Sequence, residues 1–447
     1  AQEMVENFGN RLRELRLVVR EFTGDMQLTK KELMETQMIV TTPEKWDVTT
    51  RKNSDMALVQ SVRLLIFDEV HLLHEERGPV IESLVARTLR QVESSQSMVR
   101  IVGLSATLPN YRDVAQFLRV GTAGLYYFPA SYRPVPLEQC YIGVKETNAV
   151  KRQAVMNEVA YERAVAAVRR GKQVMIFVHS RKDTFKSAER LKSIAGEREE
   201  LDLFAPFHNN NNNNNNKGGG SSGGSKFTKA SGGGAGADAA TLHREISKVK
   251  SHEVASLLPY GFATHHAGML RGDRNAVERL FVMGAIRVLC CTATLAWGVN
   301  LPAHTVIIKG TQLYDSKHGK FVDLGMLDVM QIFGRAGRPQ YDTSGEGIII
   351  TEHDSLNNYL RLMTNQLHIE SQFISRLSDN LNAEVALGTV TSIAEAVTWL
   401  SYTYLFVRMQ RNPLNYGITW RELEVDPDLG RYRRKLLEDA EIGRAHV

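Results

Sequence analysis

The sequence predicts an α/β fold in which two parallel-sheet domains are followed by a small helical domain. Short apolar runs recur over the first 310 residues with amphipathic stretches between them, a pattern typical of parallel strands joined by helices. Small polar residues end these runs, at the edge where open α/β sheets bind ligands. After about residue 370 the runs give way to helical periodicity, as in NAEVALGTVTSIAEAVTWLSYTYLFVRMQ.

The predicted strands fall into two clusters, and each cluster defines one sheet. Three runs belong to the first domain and three to the second: QMIVTT (37–42), RLLIFDE (63–69), VRIVGLSAT (99–107), QVMIFVHS (173–180), IRVLCCTAT (286–294) and HTVIIKG (304–310). Between the clusters, Pro134 and Pro136 favour an extended connection, because proline fixes its own φ and restricts the residue before it. We therefore expect domains at 1–130, 131–368 and 369–441.

A low-complexity tract interrupts the second domain. Eight asparagines, Asn209 to Asn216, precede a run rich in glycine and serine. The tract has too little apolar surface to offset the entropy of ordering it. We predict a disordered insertion at 207–241, for which a tolerated loop expansion is a simpler explanation than a prion-like role.

The composition excludes several classes of protein. No run of about 18 apolar residues predicts a membrane span, and the first residues, AQEMVENFGN, lack the pattern of a signal peptide. The three cysteines, Cys140, Cys290 and Cys291, fit neither a disulfide framework nor a metal-ligand spacing, so we infer a reducing intracellular setting. The formal net charge of +5 permits a polyanionic partner without requiring one.

Two acids directly follow one predicted strand. Asp68 and Glu69 come after the apolar residues LLIF, which places both at the carboxyl end of a strand. In that position one carboxylate can hold Mg²⁺ through water while its neighbour orients the attacking water for phosphoryl transfer. For the dipeptide alone, an exposed acidic strand end is the alternative.

The next strand of this domain ends in SAT, with hydroxyls at Ser105 and Thr107. Such hydroxyls can hydrogen-bond His71, so that a change at one strand end is felt at the next. We predict a coupling role for Ser105 and Thr107, although the tripeptide alone is a weak signal because many strands end in Ser or Thr.

The segment QIFGRAGRPQYDTSGEG (331–347) is more specific. Arg335 and Arg338 are three residues apart, so a helical turn would direct both guanidiniums to one face. There they could converge on a γ-phosphate and stabilise the charge of the transition state. Gln331 precedes them by one turn, and an ordinary basic helix face is the alternative.

Eight motifs occur in a fixed order along the chain: TGD (23–25), TTPEKWD (41–47), DEVH (68–71), SAT (105–107), FVHSRKDT (177–184), HHAGM (265–269), TATLAWGVNLP (292–302) and QIFGRAGRP (331–339). In this order they resemble the Ski-like group of superfamily 2 helicases, over the whole chain apart from the insertion and the last residues. The resemblance implies two RecA-like parallel-sheet domains, the first incomplete, followed by a helical winged-helix domain. It also implies an ATP-dependent 3′-to-5′ nucleic-acid helicase that uses ATP and Mg²⁺.

The resemblance further implies roles for individual residues. Asp68 would bind Mg²⁺ through water, and Glu69 would activate the attacking water. The implied catalytic set is Asp68, Glu69, His71, Gln331, Arg335 and Arg338. Gly298 and Asn300 would lie near the ribose and phosphates. The implied contacts to the nucleic-acid backbone are Thr42, Pro43, Ser180 and Thr294.

The implied partners are single-stranded or duplex RNA or DNA and a multiprotein complex, with no membrane. The implied location is the nucleus first and the cytosol second. The sequence leaves the choice between RNA and DNA open. The two short runs around SKHGK favour a hairpin at TQLYDSKHGKFVDLG (311–325). In the family that the chain resembles, a hairpin at this position acts as the wedge between strands; without the resemblance, a plain surface hairpin is the alternative.

The phosphate-binding loop G-x-x-x-x-G-K-[ST] does not occur in the sequence. Gly-Lys is found at 171–172 and 319–320, where Gln173 and Phe321 follow. We therefore expect a truncated piece that hydrolyses ATP poorly or not at all. Residues 442–447, IGRAHV, match a translated sequencing adapter and are expected to be an artefact. A non-hydrolysing binding module and an assembly error remain as alternatives.

Other residues of chemical interest are predicted to have packing roles. His265 and His266 have no further metal ligand at a useful spacing, and Cys290 and Cys291 belong to a buried strand. For three aromatic residues that could stack on bases, helix packing is the commoner use: Trp399, Tyr402 and Tyr404. For the basic run at 431–435, a solvated helix face is favoured over a phosphate-binding patch.

Overall fold

The structure, a computed structural model, describes residues 2–24, 28–52, 55–105, 108–206, 239–293, 295, 301–315, 319–339, 341–364 and 368–445. The chain divides into two compact units: unit 1 comprises 1–127 with 366–447, and unit 2 comprises 128–365. Among the described residues, no helix is long and apolar enough to cross a membrane. The predicted α/β class is confirmed, because strands and helices alternate in both units and the C-terminal part is helical.

The N-terminal part of unit 1 contains four short strands. They are β1 (Val19–Phe22), β2 (Met38–Thr41), β3 (Leu64–Phe67) and β4 (Arg100–Gly103). The helices are α1 (Gln2–Leu12), α2 (Lys30–Met34), α3 (Pro43–Thr50), α4 (Met56–Ser61), α5 (Gly78–Ser95) and α6 (Tyr111–Phe117), with 3₁₀ turns at Arg13–Leu15, Val70–His74 and Thr122–Gly124. Strand β1 pairs in parallel with β2, and β3 pairs in parallel with β4.

Helix α5 anchors this part of the unit. Pro79 lies in its first turn, where the missing N–H costs no helical hydrogen bond. Ile81, Leu84 and Val85 recur at helical spacing and are at most 2% exposed, so one face of the helix is buried.

Unit 2 has eight strands and eight helices among the residues described. The strands are β5 (Leu137–Val144), β6 (Val174–Val178), β7 (Phe262–His265), β8 (Val288–Thr292), β9 (Thr305–Lys309), β10 (Gln312–Asp315), β11 (Lys320–Asp323) and β12 (Gly345–Glu352). The helices are α7 (Ala149–Arg169), α8 (Arg181–Glu197), α9 (Leu201–Phe204), α10 (Ala239–Ile246), α11 (His252–Ala255), α12 (Arg271–Val282), α13 (Met326–Phe333) and α14 (His353–Thr364), with 3₁₀ turns at Ala130–Tyr132 and Leu258–Tyr260.

Six of these strands form one sheet in the order β5-β12-β9-β6-β8-β7, and every neighbouring pair is parallel. The inner strands are continuous apolar runs because helices cover both faces of the sheet. Along β6, Met175 and Phe177 join the core beneath α10, α12 and α13, whereas Ile176 joins the core beneath α7 and α8. This arrangement brings the polar carboxyl ends of the strands to one edge.

The C-terminal part of unit 1 is helical, with α15 (Leu377–Ala386), α16 (Ile393–Leu400), α17 (Tyr404–Arg411), α18 (Trp420–Val425) and α19 (Gly430–Ala445), and 3₁₀ turns at Phe373–Arg376 and Pro413–Tyr416. Its core forms around Phe373 and Trp399, whose ring centroids are 5.6 Å apart, and Ala86 of α5 belongs to the same core. The C-terminal helices therefore pack on the N-terminal part of unit 1.

A buried ion network also joins the two parts of unit 1. The Arg408 side chain is 2% exposed and donates to both carboxylate oxygens of Glu370, from Nε at 3.0 Å and from Nη2 at 2.7 Å. Its remaining terminal nitrogen donates to Asp113 of α6. Burial of a charge is tolerable here because every charged group has a close partner.

All six predicted strands are present, as β2, β3, β4, β6, β8 and β9. Four sheet strands were not predicted: β1, β5, β7 and β12. Residues 207–238 of the predicted insertion lie outside the described residues, and α10 begins at Ala239. Helix α19 continues to Ala445, within the segment predicted as an artefact.

Candidate functional site

The acidic pair Asp68 and Glu69 directly follows strand β3 in unit 1. Two backbone hydrogen bonds hold this strand end beside the end of β4: Leu104 N donates to Phe67 O at 2.8 Å, and Val70 N donates to Leu104 O at 2.8 Å. Asp68 is exposed, and the Glu69 side chain is 47% exposed. Both carboxylates are therefore accessible at the end of a parallel strand pair, as the sequence predicts.

Glu69 adopts a left-handed backbone conformation, with φ 58° and ψ 50°. Its N–H donates to Oδ1 of Asp68 at 3.0 Å. A left-handed non-glycine residue is uncommon and costs roughly 1 kcal/mol or more. Such strain is concentrated at functional sites.

His71 connects the two strand ends. It is 1% exposed, and its Nδ1 lies 3.3 Å from Glu69 Oε2 and 3.5 Å from Ser105 Oγ. Burial lowers the pKa of His71, although the charge of Asp68 acts in the opposite direction. A neutral imidazole can thus pass a change at Glu69 to Ser105 as a change in hydrogen bonding. Thr107, the second predicted coupling residue, lies outside the described residues.

Thr42 and Pro43 begin helix α3. Thr42 is the N-cap, and its side chain accepts a hydrogen bond from Lys45 N at 3.3 Å. Pro43 occupies the first turn, where its fixed φ suits a helix start. The structure thus places both predicted nucleic-acid contacts at a helix N-terminus, where backbone dipoles favour a phosphate.

In unit 2, Gln331 lies on α13 and Arg335 lies in the turn that ends this helix, with its N–H donating to Ile332 O at 3.0 Å, but Arg338 lies beyond that turn. The prediction of a shared helix face was wrong. Helix α13 ends at Phe333 because Ala336 forms an isolated parallel bridge with Ala303. Gly337 then reverses the chain at φ 86°, a conformation that favours glycine. The two arginines are positioned by this turn instead.

Arg338 is held by a network of polar contacts. Its Nε lies 2.9 Å from Asp342 Oδ2, and its Nη1 donates to Gln173 Oε1 at 2.8 Å. Lys172 Nζ reaches the other oxygen of Asp342 at 2.7 Å. Burial alone would raise the pKa of the Asp342 carboxyl, but hydrogen bonds from Arg338 and Lys172 hold it at about 2. Asp342 is therefore ionised and fixes the direction of the Arg338 guanidinium.

Ser180 is the N-cap of helix α8. Its hydroxyl accepts from Asp183 N at 3.1 Å and donates to Asp183 Oδ2 at 2.7 Å. The other predicted residues of unit 2, Thr294, Gly298 and Asn300, lie outside the described residues.

Beside Ser180, the structure brings Arg181 and His266 together over Gly268. A Cβ on Gly268 would lie 3.1 Å from Arg181 Nη1 and 3.2 Å from His266 Nδ1, so a larger residue would displace these groups. Burial, followed by the positive charge of Arg181, lowers the pKa of His266. A guanidinium, an imidazole and an open backbone on one small surface suit an anionic group such as a phosphate.

The segment 311–325 forms the predicted hairpin. Strand β10 pairs antiparallel with β11 over four residue pairs, from Gln312 with Asp323 to Asp315 with Lys320. Residues 316–318 of its turn lie outside the described residues.

The packing predictions hold for most of the remaining residues. Cys290 and Cys291 are fully buried, and so are Trp399 and Tyr404. His265 Nε2 lies 2.8 Å from Glu278 Oε1. Within the part of the chain that the structure describes, no group of three or more His, Cys, Asp or Glu residues could hold a metal ion.

Two further predictions concerned Tyr402, expected to pack between helices, and the basic run at 431–435, expected to face solvent. The ring of Tyr402 lies 5.6 Å from Arg119 Cζ. The prediction of a solvated basic face was wrong for Arg433, which is 7% exposed and donates to Val397 O at 2.6 Å. Its position in α19 turns it toward the core.

Sequence reasoning missed Asp342, Arg181 and His266. Asp342 carried a detectable signal, because an acid four residues after Arg338 is at the spacing of a paired ion. Arg181 and His266 lie in different motifs, and only the parallel arrangement of β6, β8 and β7 brings them together.

Comparison with known proteins finds three matching domain families and several similar curated proteins. A DEAD/DEAH box helicase model matches residues 1–115, a helicase conserved C-terminal domain matches 238–340, and a winged helix-turn-helix domain matches 370–442. The chain is 58% identical over 441 residues to the DExH-box ATP-dependent RNA helicase DExH14 of Arabidopsis thaliana. It is 57% identical over 438 residues to the activating signal cointegrator 1 complex subunit 3 of Dictyostelium discoideum, and 55% identical over 446 residues to that of Homo sapiens. The chain therefore contains segments that match DEAD/DEAH box helicase, helicase C-terminal and winged-helix domains, and it is similar to these relatives over nearly its whole length.

These alignments cover 98% to 99% of the chain but only 18% to 19% of each relative. The chain thus spans about a fifth of the length of the curated relatives that it matches. The helicase C-terminal match covers α10 to α13 of unit 2, and the winged-helix match covers the C-terminal helices of unit 1.

Proposed function

We propose that this chain is part of an ATP-dependent helicase that moves 3′ to 5′ along RNA and separates strands. The observation that carries the proposal is the end of β3, where Asp68 and a strained Glu69 are exposed and His71 links Glu69 to Ser105. Accessible carboxylates at a parallel strand end are the groups that Mg²⁺-dependent phosphoryl transfer requires.

The donor set in unit 1 fits Mg²⁺ with ATP. Mg²⁺ prefers oxygen ligands and keeps most of its water, so one exposed carboxylate, Asp68, is enough to hold it together with the phosphates of ATP. Bound Mg²⁺ would neutralise developing phosphate charge. Glu69 then orients the attacking water and accepts its proton, and His71 holds the Glu69 carboxylate in place.

Unit 2 supplies the positive charge in this proposal. Arg338, oriented by Asp342, and Arg335 stabilise negative charge on the γ-phosphate, and Gln331 positions the nucleotide. Gly298 and Asn300 contact the ribose and phosphates in the same scheme.

Helix N-termini grip the nucleic-acid strand. Thr42 with Pro43 begins α3, and Ser180 begins α8 beside Arg181 and His266. Hydroxyls, backbone amides and a guanidinium bind phosphates without reading sequence, as a translocating protein needs. Thr294 adds to this grip in the proposal, and the hairpin β10–β11 separates the strands.

The names of the relatives favour RNA and a multiprotein complex. One relative is called an ATP-dependent RNA helicase, and two are called a complex subunit. We assign RNA as the strand, a multiprotein complex as the setting, and the nucleus as the main location, with the cytosol second.

The first test concerns the phosphate-binding loop, which the 447 residues do not contain. The 447-residue chain should hydrolyse ATP at background rates with or without single-stranded RNA. An open reading frame upstream of Ala1 that encodes G-x-x-x-x-G-K-[ST] supports the proposal. The longer polypeptide should then show RNA-stimulated hydrolysis.

In that polypeptide, Glu69→Gln should lower turnover by at least about 100-fold, because the water loses its base. Glu76→Gln, at an exposed position after the same strand, is the control and should change little. A start codon directly before Ala1, with binding to RNA but no hydrolysis, would instead support a non-hydrolysing binding module.

A further inference from the structure

His179 lies between β6 and α8, and its side chain is half-buried. Its Nε2 lies 2.6 Å from the backbone carbonyl oxygen of Gly310. A carbonyl oxygen can only accept, so Nε2 must carry the proton and donate. Gly310 has φ 81°, and a Cβ there would lie 3.5 Å from both Cδ2 and Nε2 of His179. The imidazole therefore lies directly against this glycine.

Gly310 begins the root of the hairpin β10–β11. It follows β9, and its own N–H donates to Ile350 O of β12 at 2.8 Å. The next residue, Thr311, closes the hairpin, because Leu324 N donates to Thr311 O at 2.7 Å. Oγ1 of Thr311 also lies 2.6 Å from Oγ1 of Thr351. The carbonyl that His179 binds is thus one peptide unit before the closing pair of the hairpin.

On its other side, His179 directly precedes Ser180, the N-cap of α8. A second contact ties the same helix to the same strand end. Lys309 Nζ donates to Ser187 Oγ of α8 at 2.6 Å and to Asn157 Oδ1 of α7 at 2.6 Å. Helix α8 is therefore fixed to the end of β9 at two points, His179 and Lys309.

The hairpin depends on such root contacts for its direction. An isolated pair of strands with four residue pairs is marginally stable in water. Its orientation is set where it leaves the unit, by Thr311, by Leu324 and by Tyr359, whose hydroxyl donates to Leu324 O at 3.0 Å. A shift of the Gly310 peptide would change the direction of both strands.

We propose that His179 is a positioning residue that holds the root of the hairpin at a fixed place relative to the N-terminus of α8. The site that binds the strand at Ser180 and the hairpin that separates the duplex thereby stay at a constant distance from each other. This inference rests on the proposed function, in which α8 grips the strand and the hairpin separates the duplex. It predicts that His179 affects binding to the junction between a single strand and a duplex, but not binding to the single strand alone.

The test compares His179→Leu, which removes the donor, with His179→Gln, whose amide can still donate to Gly310 O. His252→Leu, an exposed histidine of the same unit, is the matched control. Two labelled RNA probes are titrated: a single strand, and a duplex that carries the same strand as a 3′ tail. We expect the unaltered chain to prefer the tailed duplex.

In His179→Leu this preference should fall by roughly tenfold while affinity for the single strand stays within about twofold. His179→Gln and His252→Leu should keep the preference. Loss of preference in His179→Gln as well would overturn the proposal, because packing rather than the hydrogen bond would then be responsible.

Amide hydrogen exchange separates this inference from the proposed function. In His179→Leu, the amides of Leu324 and of β11 should exchange about tenfold faster, while those of β6 and β8 keep their protection. If the unaltered chain shows no preference for the tailed duplex, the proposed strand separation fails, and exchange alone then decides the role of His179. Unchanged exchange in His179→Leu would overturn the inference in either case.

Discussion

Arg87 of α5 donates two hydrogen bonds to the same carboxylate oxygen of Glu384 in α15, from Nε at 2.9 Å and from Nη2 at 2.7 Å. Its remaining terminal nitrogen donates to Asp47 Oδ1 at 3.0 Å and to Thr50 Oγ1 at 2.6 Å, both in α3. One guanidinium therefore ties the helix that begins with Thr42 to the C-terminal helices of unit 1.

Replacing Arg87 should destabilise unit 1 strongly. The Glu384 side chain is 1% exposed, so Arg87→Met would leave a buried carboxylate without its cation. The free energy of unfolding of this unit should fall by about 3 to 5 kcal/mol. Urea unfolding followed by tryptophan fluorescence measures this, since three of the four tryptophans, Trp46, Trp399 and Trp420, belong to unit 1.

Arg90→Met is the matched control for Arg87→Met. Arg90 lies one turn further along α5 and donates to Thr389 O near the surface. Its loss should cost less than about 1 kcal/mol. Equal losses for the two variants would contradict the assignment of Arg87 as the tie between α3 and α15.

A buried carboxyl should make the stability of unit 1 depend on pH. Glu82 is fully buried; the Ser371 hydroxyl donates to its Oε1, and Leu405 N donates to its Oε2 at 2.9 Å. Burial raises the pKa of Glu82 to about 8, against hydrogen bonds that lower it. The folded state thus keeps a proton that the unfolded state releases above its ordinary pKa of 4.5.

The sign of the effect follows from this difference. The stabilisation is complete below pH 4.5 and is lost as pH rises toward 8, with a slope of at most about 1.4 kcal/mol per pH unit. Glu82→Gln, which cannot ionise, should flatten the dependence of Tm on pH between 5 and 8 and raise Tm at pH 8. Glu424→Gln, at an exposed position, should leave the slope unchanged. A slope that survives in Glu82→Gln would refute the assignment.

The three cysteines should differ sharply in reactivity. Cys290 and Cys291 lie on β8 and are fully buried, and burial raises the pKa of Cys290 to about 12 and that of Cys291 well above its usual value. Cys140 on β5 is only partly buried. Iodoacetamide at pH 8 should therefore label Cys140 in the folded chain and all three in urea, as mass spectrometry of tryptic peptides would record. Labelling of Cys290 in the folded chain would place β8 at the surface.

Three of the strands that the sequence predicted, β6, β8 and β9, are buried on both faces. VMIFV in β6 and TVIIK in β9 are short runs rich in β-branched residues, a pattern typical of strands in a covered parallel sheet. By contrast, β1 reads VREF and β12 begins with GEG, so polar and glycine residues hide their periodicity. Those strands are stabilised by backbone hydrogen bonds to neighbouring strands, and the local sequence alone does not reveal such pairing.

The position of a site residue could be predicted where the motif is continuous in the sequence, but not where the fold brings distant segments together. Asp68 and Glu69 follow one strand, so their position could be inferred from β3 alone. The geometry of Arg338 depends on the bridge between Ala303 and Ala336 and on Gln173, which is 165 residues away in sequence. The spacing of Arg335 and Arg338 therefore suggested a shared helix face. In the structure the helix ends before them, and Ala336 between them pairs with the distant Ala303 instead.

The cluster over Gly268 gives a prediction for nucleic-acid binding. Arg181 and His266 face the position that a Cβ on Gly268 would take, so a phosphate there would contact a guanidinium. Arg181→Gln should weaken binding of the chain to single-stranded RNA. It should also make the slope of log K against log salt less negative by about 0.7, the value for one phosphate contact on a single strand.

Arg190→Gln provides the control for that slope, because Arg190 lies on the same helix but pairs with Glu158 and Glu197. It removes the same formal charge, so a purely long-range effect of net charge would change both variants equally. Fluorescence anisotropy from low to moderate salt separates the two cases. A loss confined to Arg181→Gln, with the reduced slope, supports a direct phosphate contact, whereas equal slopes in the two variants would rule it out.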